Sequence, residues 1–266
     1  MIIVGERINS SLKAIQPAIE NQDVAAIQDI AKKQVEAGAH YVDVNAGTFL
    51  SQEPKYLEWL VKTVQEVVSV PLCVDSPNPE AMERAIQACQ QTPMLNSISG
   101  ESKRVDQMLP LLKRYGCSVI ALCMDDSGVP EVAEKRLQIA SELLQKLERE
   151  GVDRDRVFFD PLIYPISTGS HFGQVALETI RLVKASLPGV QTICGLSNIS
   201  HGLPNRKILN QAFLVMSMAA GLDGAIINPL DRRMMALLMA SEALLGKDEF
   251  CCGYIAAHRA GKLEEQ

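Results

Sequence analysis

The stretch VAAIQDIAKKQVEAGAHYVDV, residues 24–44, contains the pattern on which the fold of the chain depends. Residues 24–36 place apolar side chains three and four positions apart, which predicts an amphipathic helix. Gly38 follows and is predicted to end this helix in a left-handed conformation. Residues 41–44 form a short apolar run that predicts a strand covered on both faces. A helix that leads through a glycine into a buried strand is typical of one unit of a parallel α/β protein.

The same alternation of a short strand with a longer helix continues along the whole chain. The predicted strands are residues 2–4, 41–44, 72–74, 94–96, 119–122, 157–159, 192–194 and 225–227. The predicted helices are residues 24–36, 57–68, 79–89, 105–115, 132–150, 175–187, 206–220 and 232–245. Gly116, Gly151 and Gly221 again stand between a helix and a strand. Eight such units predict an α/β fold, a single-domain (β/α)8 TIM barrel over residues 1–266, and such barrels typically have ~250 residues.

An open, doubly wound parallel sheet is the alternative fold. Such a sheet often carries a glycine-rich dinucleotide-binding turn after its first strand. The segment VGERINSS at residues 4–11 has no such turn. The closed barrel is therefore the favoured interpretation.

The composition is that of a globular protein, with 47% hydrophobic and 22% charged residues. The net charge is −6, so we do not expect nucleic acid as a partner. The first residues lack the pattern of a signal peptide, and no window reaches the ~20 apolar residues of a membrane span. We therefore expect no membrane association and a cytoplasmic protein. The seven cysteines are scattered without a C-x-x-C pair, which is typical of buried thiols in a reducing compartment.

Acidic and amide side chains follow nearly every predicted strand, at the barrel face where such enzymes have their active sites. They are Glu6, Asn9, Asp43, Asn45, Asp75, Asn96, Asp125, Asp126, Asp160, Asn198 and Asn228. Helix capping explains single members such as Asp75, which precedes the helix at Pro79. It does not explain the whole set, nor why basic residues are nearly absent from the same positions. Carboxylates and amides together suit a neutral ring that is rich in donors and acceptors, such as a pterin.

Several short motifs at successive strand ends carry a family resemblance. They are IIVGERIN (2–9), DVNAG (43–47), CVDS (73–76), LNSIS (95–99), FFDPLI (158–163) and GLSNIS (195–200), the last followed by LPNRKILN (203–210). In this order they resemble the pterin-binding methyltransferases that move a methyl group between tetrahydrofolate and a protein-bound corrinoid. The chain most resembles the methyltetrahydrofolate:corrinoid protein methyltransferase family, and it is also similar to the folate domain of cobalamin-dependent methionine synthase.

This resemblance implies a set of site residues. The residues implied to bind pterin or folate are Asp75, Asn96, Asp160, Asn198, Gly195, Ser197, Asp43 and Asn45. Asn198 is also implied to be catalytic, because the family places this Asn near the N5 atom that carries the methyl group. Two segments depart from the family pattern, residues 228–231 after the last strand and the loop 167–172.

The resemblance also implies the partners. The substrate is expected to be tetrahydrofolate or its N5-methyl derivative, cobalamin is expected on a separate corrinoid protein, and a homodimer is favoured. Two alternatives stay open, a dihydropteroate synthase-like enzyme and a catalytically silent folate-binding module. The adjacent Cys251 and Cys252 are similar to the zinc-binding cysteines of homocysteine methyltransferases. They follow the last predicted helix instead of a strand, so we expect no metal bound by this chain.

Overall fold

Eight parallel strands pair in chain order and close into a barrel in the computed structural model, which describes residues 1–263. The strands are β1 (Ile2–Asn9), β2 (Tyr41–Asn45), β3 (Leu72–Asp75), β4 (Met94–Ser99), β5 (Ser118–Leu122), β6 (Val157–Asp160), β7 (Gln191–Gly195) and β8 (Gly224–Ile227). The last strand pairs with the first, with Ile2 opposite Gly224. The predicted (β/α)8 barrel is confirmed, and the open sheet is excluded.

Helices follow the strands and cover the outside of the barrel. The α-helices are α1 (Gln16–Glu20), α2 (Val24–Glu36), α3 (Glu53–Gln65), α4 (Pro79–Ala88), α5 (Ser102–Tyr115), α6 (Ala133–Arg149), α7 (Phe172–Ser186), α8 (Arg206–Ala220), α9 (Arg232–Leu244) and α10 (Cys252–Arg259). Short 3-10 helices span Gly47–Gln52, Arg154–Arg156, Leu196–Ser200 and Glu249–Cys251. All eight predicted helices are present, whereas α1 and α10 were missed because five and eight residues are too few for a clear apolar period.

Helix boundaries show where apolar spacing stops being informative. Helix α3 begins at Glu53, four residues before the predicted start. Its first turn contains Pro54 and shows little apolar periodicity, so apolar spacing alone placed the start too late. The predicted glycine caps are confirmed, and Gly38, Gly116 and Gly221 among them have φ of 105°, 67° and 108°. Within residues 1–263, no helix has the length and apolar character needed to cross a membrane.

A layer of apolar side chains from alternate strand positions packs inside the barrel. Its buried members are Val4, Cys73, Met94, Ile120, Phe158 and Ile193. Successive side chains of a strand point to opposite faces, so the residue two positions further along each strand also points inward. Asp75, Asn96 and Asp160 therefore lie directly above this apolar layer, at the carboxyl ends of their strands. The larger apolar clusters lie between the strands and the helices.

Strand β1 is longer than predicted and contains an irregularity. Its pairing with β2 shifts register between Gly5 and Ile8. The side chain of Gln34 supports this bulge, since its Oε1 accepts a hydrogen bond from Arg7 N at 2.9 Å. A Cβ on Gly5 would lie 2.5 Å from the same oxygen, so a larger residue there would displace the Gln34 amide that supports the bulge. Bulges near an active site commonly redirect a side chain, and this one accompanies the turn of Glu6 and Arg7 into the barrel mouth.

Candidate active site

A cavity of about 560 Å³ opens where the carboxyl ends of the strands meet. This is the face on which barrels of this kind carry their active sites. The predicted site residues that line it are Asp43, Asp75, Asn96, Asp160, Gly195, Ser197 and Asn198. Residues that are far apart in the sequence thus meet in one cavity, because they lie in or just after the carboxyl-terminal parts of five strands, β2, β3, β4, β6 and β7.

Asn45 is the one predicted site residue that does not line this cavity, and it supports Asp75 instead. Its Nδ2 donates to Asp75 Oδ2 at 2.9 Å. Its Oδ1 accepts from the Ser10 hydroxyl and from Gly47 N, each at 3.0 Å. Because two donors hold the amide oxygen, the amide nitrogen must face Asp75. Asn45 therefore orients the Asp75 carboxylate, and its contact with a bound folate stays a prediction.

Two carboxyl groups, those of Asp43 and Asp75, share the floor of the cavity beside Asn96. Burial raises the pKa of Asp75 to about 6, against the hydrogen bond from Asn45. Burial first, and then the charge of Asp75, raise the pKa of Asp43 well above its usual range. Asp43 is 2% exposed, and its Oδ1 has no hydrogen-bond partner within residues 1–263. Near neutral pH, Asp75 is therefore mainly an acceptor, whereas the environment of Asp43 favours its protonated, donating form.

Asp160 is held by the backbone around it. Leu162 N donates to Asp160 Oδ1 at 2.7 Å, and the N–H of Gly195 stabilises the same carboxylate. Burial nevertheless raises the pKa of Asp160 to about 6. The side chain is 9% exposed and reaches the cavity, so it offers a fixed acceptor to a bound molecule.

Asn198 lies in the 3-10 helix directly after β7, and its side chain is exposed at the cavity. Its amide has no hydrogen-bond partner in the described part of the chain. Gly195 leaves room for this amide, since a Cβ at residue 195 would lie 3.3 Å from Asn198 Nδ2. A free amide thus stands beside the pocket whose floor carries Asp75 and Asp160.

The family model for pterin-binding enzymes matches residues 5–228, which include every predicted site residue. The chain belongs to the pterin-binding enzyme family. Over 265 residues it is 37% identical to methylcorrinoid:tetrahydrofolate methyltransferase of Eubacterium limosum, an alignment that covers 99% of this chain and 98% of that protein. This whole-length match confirms the family that the strand-end motifs predicted.

Two further comparisons show which other proteins this pterin-binding enzyme is similar to. It is 30% identical over 241 residues to methionine synthase of Mycobacterium tuberculosis, an alignment that spans 86% of this chain and 20% of that protein. It also resembles a dihydropteroate synthase of Xanthomonas albilineans solved with 4-aminobenzoic acid, with a TM-score of 0.71 over 93% of this chain and 92% of that one. The identity to that synthase is 18%, so this likeness shows a shared fold.

The pterin-binding enzyme has three basic side chains at its cavity, although basic residues are nearly absent directly after the strands, because two of the three come from the first turn of α8. They are Arg7, Arg206 and Lys207. Arg206 donates to Ser197 O at 2.7 Å and to the Ser200 hydroxyl at 3.0 Å, which holds the segment after β7 in place. The motif LPNRKILN contains two of these residues, but only the tertiary structure shows that the first turn of α8 lies at the cavity.

Glu6 is an acidic lining residue to which the sequence assigned no role. Burial raises the pKa of its carboxyl group, while the charges of Arg7 and Arg206 and the hydroxyl of Ser197 act in the opposite direction. The segment after β8, which departs from the family pattern, also contributes Asn228 and Asp231 to the lining. The mouth of the cavity therefore carries both signs of charge.

The raised pKa of Asp75 makes a prediction about stability. A carboxyl group whose pKa is higher in the folded state than in the unfolded state destabilises the fold as pH rises from about 4 to about 6. We expect Asp75→Asn, measured by urea unfolding without ligand, to raise the free energy of unfolding by about 1–3 kcal/mol at pH 7.5 and by much less at pH 4.5. Equal stability of the variant and the parent at both pH values would contradict the burial of this charge.

Within residues 1–263, no group of three or more His, Cys, Asp or Glu side chains is arranged to hold a metal ion. Cys251 and Cys252 are exposed, so the expectation that all cysteines are buried is wrong for this pair. Cys73, Cys123 and Cys194 are buried, and burial raises the pKa of each thiol. The two exposed cysteines differ because they lie at the start of α10, outside the barrel.

Proposed function

We propose that residues 1–266 form one pterin-binding methyltransferase domain that moves a methyl group between N5 of tetrahydrofolate and the cobalt of a corrinoid held by a separate protein. The observation that carries this proposal is the free amide of Asn198 at the cavity whose floor is formed by Asp75, Asn96 and Asp160. The whole-length similarity to a methylcorrinoid:tetrahydrofolate methyltransferase supports the same reaction.

The floor of the cavity suits the polar edges of a pterin. The carboxylates of Asp75 and Asp160 accept the N–H groups of an aminopyrimidine edge, and charged acceptors form the stronger hydrogen bonds. The Asn96 amide offers a donor and an acceptor side by side, which matches a lactam. Asp43, in its protonated form, adds a donor at the same floor. We assign these four residues to pterin recognition.

The reaction requires N5 to become a better leaving group. A tertiary amine leaves poorly, so N5 must gain positive character through a proton or a stronger hydrogen bond as the methyl bond breaks. Transfer to Co(I) then gives methyl-cobalt and, after N5 takes up one proton, tetrahydrofolate. The Asn198 amide can donate to N5 or accept from its proton by rotating, which suits transfer in either direction.

The basic residues at the mouth suit the other end of the folate. The glutamate tail carries carboxylates, whereas the floor of the cavity is acidic and would repel them. Lys207 is exposed at the cavity and has no ionic partner among the described residues, and Arg7 lies at the same mouth. A folate bound with its pterin on the floor therefore has cations available for its tail.

The proposed partner is a corrinoid protein that docks over the mouth, because the cobalt must approach the methyl group of a folate bound in the cavity. The proposed location is the cytoplasm, where folates and corrinoid proteins are used together. No metal ion is proposed for this chain, and neither a nucleic acid nor a membrane is proposed as a partner.

We also propose a homodimer that forms through the C-terminal apolar surface, which consists of Leu244, Leu245, Phe250, Tyr254 and Ile255. Leu244 and Phe250 are 86% and 85% exposed, and apolar side chains clustered in this way commonly mark protein interfaces. We expect the parent to be dimeric by light scattering and Phe250→Glu to be monomeric. Leu50→Glu, at another exposed apolar residue, is the control and should stay dimeric. A monomeric parent, or a dimeric Phe250→Glu, would contradict this interface.

A metal analysis tests the expectation about zinc. We expect purified protein to contain well under one equivalent of zinc and to keep its activity after treatment with a chelator, because the exposed pair Cys251 and Cys252 lacks further ligands for a tetrahedral site. One tightly held equivalent, with activity lost on its removal, would favour the homocysteine-type chemistry instead.

The reaction can be tested with free cofactors. Protein, methylcobalamin and tetrahydrofolate should give N5-methyltetrahydrofolate and Co(I), the latter detected by its visible spectrum under anaerobic conditions. A parallel incubation with a dihydropterin diphosphate and 4-aminobenzoic acid tests the dihydropteroate synthase alternative. Condensation in the second incubation without methyl transfer in the first would overturn the proposal. Folate binding without either reaction would favour a silent binding module.

A further inference from the structure

Arg104, on the first turn of α5, connects the backbone after β3 with the backbone of the neighbouring strand β4. Its Nη2 donates to Ser76 O at 2.9 Å, its Nη1 to Pro77 O at 2.8 Å and its Nε to Ser97 O at 2.8 Å. One planar guanidinium therefore binds three carbonyl oxygens, two after β3 and one in β4. The fixed fork of an arginine holds such a set in one geometry, which a lysine cannot do.

The carbonyl groups that Arg104 binds belong to residues next to Asp75 and Asn96. Asp75 and Asn96 are directly opposite each other in the pairing of β3 with β4. The pairing continues one step further, where Ser76 N donates to Asn96 O at 3.0 Å. Beyond this step β3 has ended while β4 continues to Ser99, and Arg104 links the backbone after β3 to β4.

A second arginine binds the backbone in the same way beside Asp160, the third of the residues assigned to the pterin. Arg136 of α6 is fully buried, and its Nη1 donates to Pro161 O at 2.6 Å and to Leu162 O at 2.8 Å. These carbonyl groups directly follow Asp160. At two separate places, an arginine from a first helical turn thus binds the backbone beside a carboxylate of the cavity floor.

We propose that Arg104 is a positioning residue for pterin recognition, which bridges the backbone after β3 to Ser97 of β4 and so sets the orientation of Asp75 relative to Asn96. The inference rests on the proposed assignment of these two residues to the pterin. Arg104 does not line the cavity itself and acts through them.

The charge of Arg104 also affects the pKa of the Asp75 carboxyl group. The titratable groups that face Asp75 are Asp43 on β2, Cys73 on β3, Glu53 at the start of α3 and Arg104 on α5. Of these, Arg104 is the cation, and it lowers the pKa of Asp75 against burial and the charge of Glu53. Loss of this charge should raise that pKa, so that the carboxylate form is lost at a higher pH.

Binding of N5-methyltetrahydrofolate, titrated without any corrinoid between pH 5 and pH 8.5, tests this role. We expect Arg104→Gln to weaken binding at pH 7 roughly 10- to 100-fold, as is common when a supporting residue is removed. The pH below which binding is lost should also move upward. Arg104→Lys keeps the charge and lacks the fork, so it should weaken binding while the pH midpoint stays near that of the parent. Arg114→Gln, on the same helix but in a surface pair with Glu83, is the matched control and should behave as the parent.

Two results would overturn the inference. Folded Arg104→Gln with the affinity and the pH midpoint of the parent would show that the bridge does not matter. Full affinity in Arg104→Lys would show that charge alone suffices and that the fork does not position the strand ends. Should Arg104→Gln not fold, Arg104→Lys still tests the fork. Parental affinity in Asp75→Ala, run in parallel, would instead contradict the pterin assignment itself.

Discussion

Asn198→Ala should lower the single-turnover rate of methyl transfer by roughly 10²–10³ at saturating folate, because one donor to a developing charge typically contributes that much. Its amide is free and exposed at the cavity, so its removal leaves no buried partner unsatisfied and should not disturb the fold. Folate affinity should change by a smaller factor, because the interaction with N5 strengthens mainly in the transition state. Stopped-flow methyl transfer and equilibrium folate binding, measured on the same variant, separate the two effects.

Asn96→Ala is the matched comparison for this variant. Its amide is assigned to the pterin edge remote from the methyl group, so its loss should weaken folate binding and leave the rate at saturation nearly unchanged. The two asparagines thus give opposite patterns if their roles are assigned correctly. Parental transfer by Asn198→Ala at saturating folate would contradict the catalytic role of that amide.

Asp160→Ala should weaken binding of N5-methyltetrahydrofolate by about 1.5–3 kcal/mol for each charged hydrogen bond lost, roughly 10- to 150-fold in Kd. The carboxylate is oriented by Leu162 N, so it needs no rearrangement to accept from the pterin. Isothermal titration at pH 7.5, above the pKa of about 6, measures the ionised form in the parent.

Asp160→Asn is the control for this variant, since it keeps an oxygen for Leu162 N while removing the charge. It should bind more weakly than the parent and more tightly than Asp160→Ala. Asp75→Ala should show a loss of similar size, because its carboxylate meets the same ring. If Asp75→Ala and Asp160→Ala both bound folate as tightly as the parent, the pterin would have to be bound elsewhere.

The floor of the site could be predicted from the sequence because it obeys the geometry of strands. Asp75, Asn96 and Asp160 each stand two positions after a residue of the barrel interior, and alternation along a strand brings them to the same face. A buried parallel strand is also short and apolar, so the polar residue at which it ends is easy to locate. The same reasoning holds for Gly195, at the end of β7.

The mouth of the site could not be predicted in the same way. Arg7 enters the cavity through a bulge that depends on Gln34, which is on a different element and has no local signal. Lys207 reaches the cavity because of where the first turn of α8 lies, which apolar spacing does not indicate. Arg104 looks like any solvated arginine near a helix start until its three carbonyl partners are seen. Such residues are placed by tertiary contacts, which single-sequence patterns do not contain.

The most direct measurement is a stopped-flow reaction of the purified protein with N5-methyltetrahydrofolate and Co(I) cobalamin under anaerobic conditions. We expect the Co(I) absorbance to fall as the methyl-cobalt spectrum appears, with one tetrahydrofolate formed for each methylcobalamin. Co(I) that persists with the parent at saturating folate, in a sample shown to bind that folate, would contradict the central claim that this cavity presents N5 for methyl transfer.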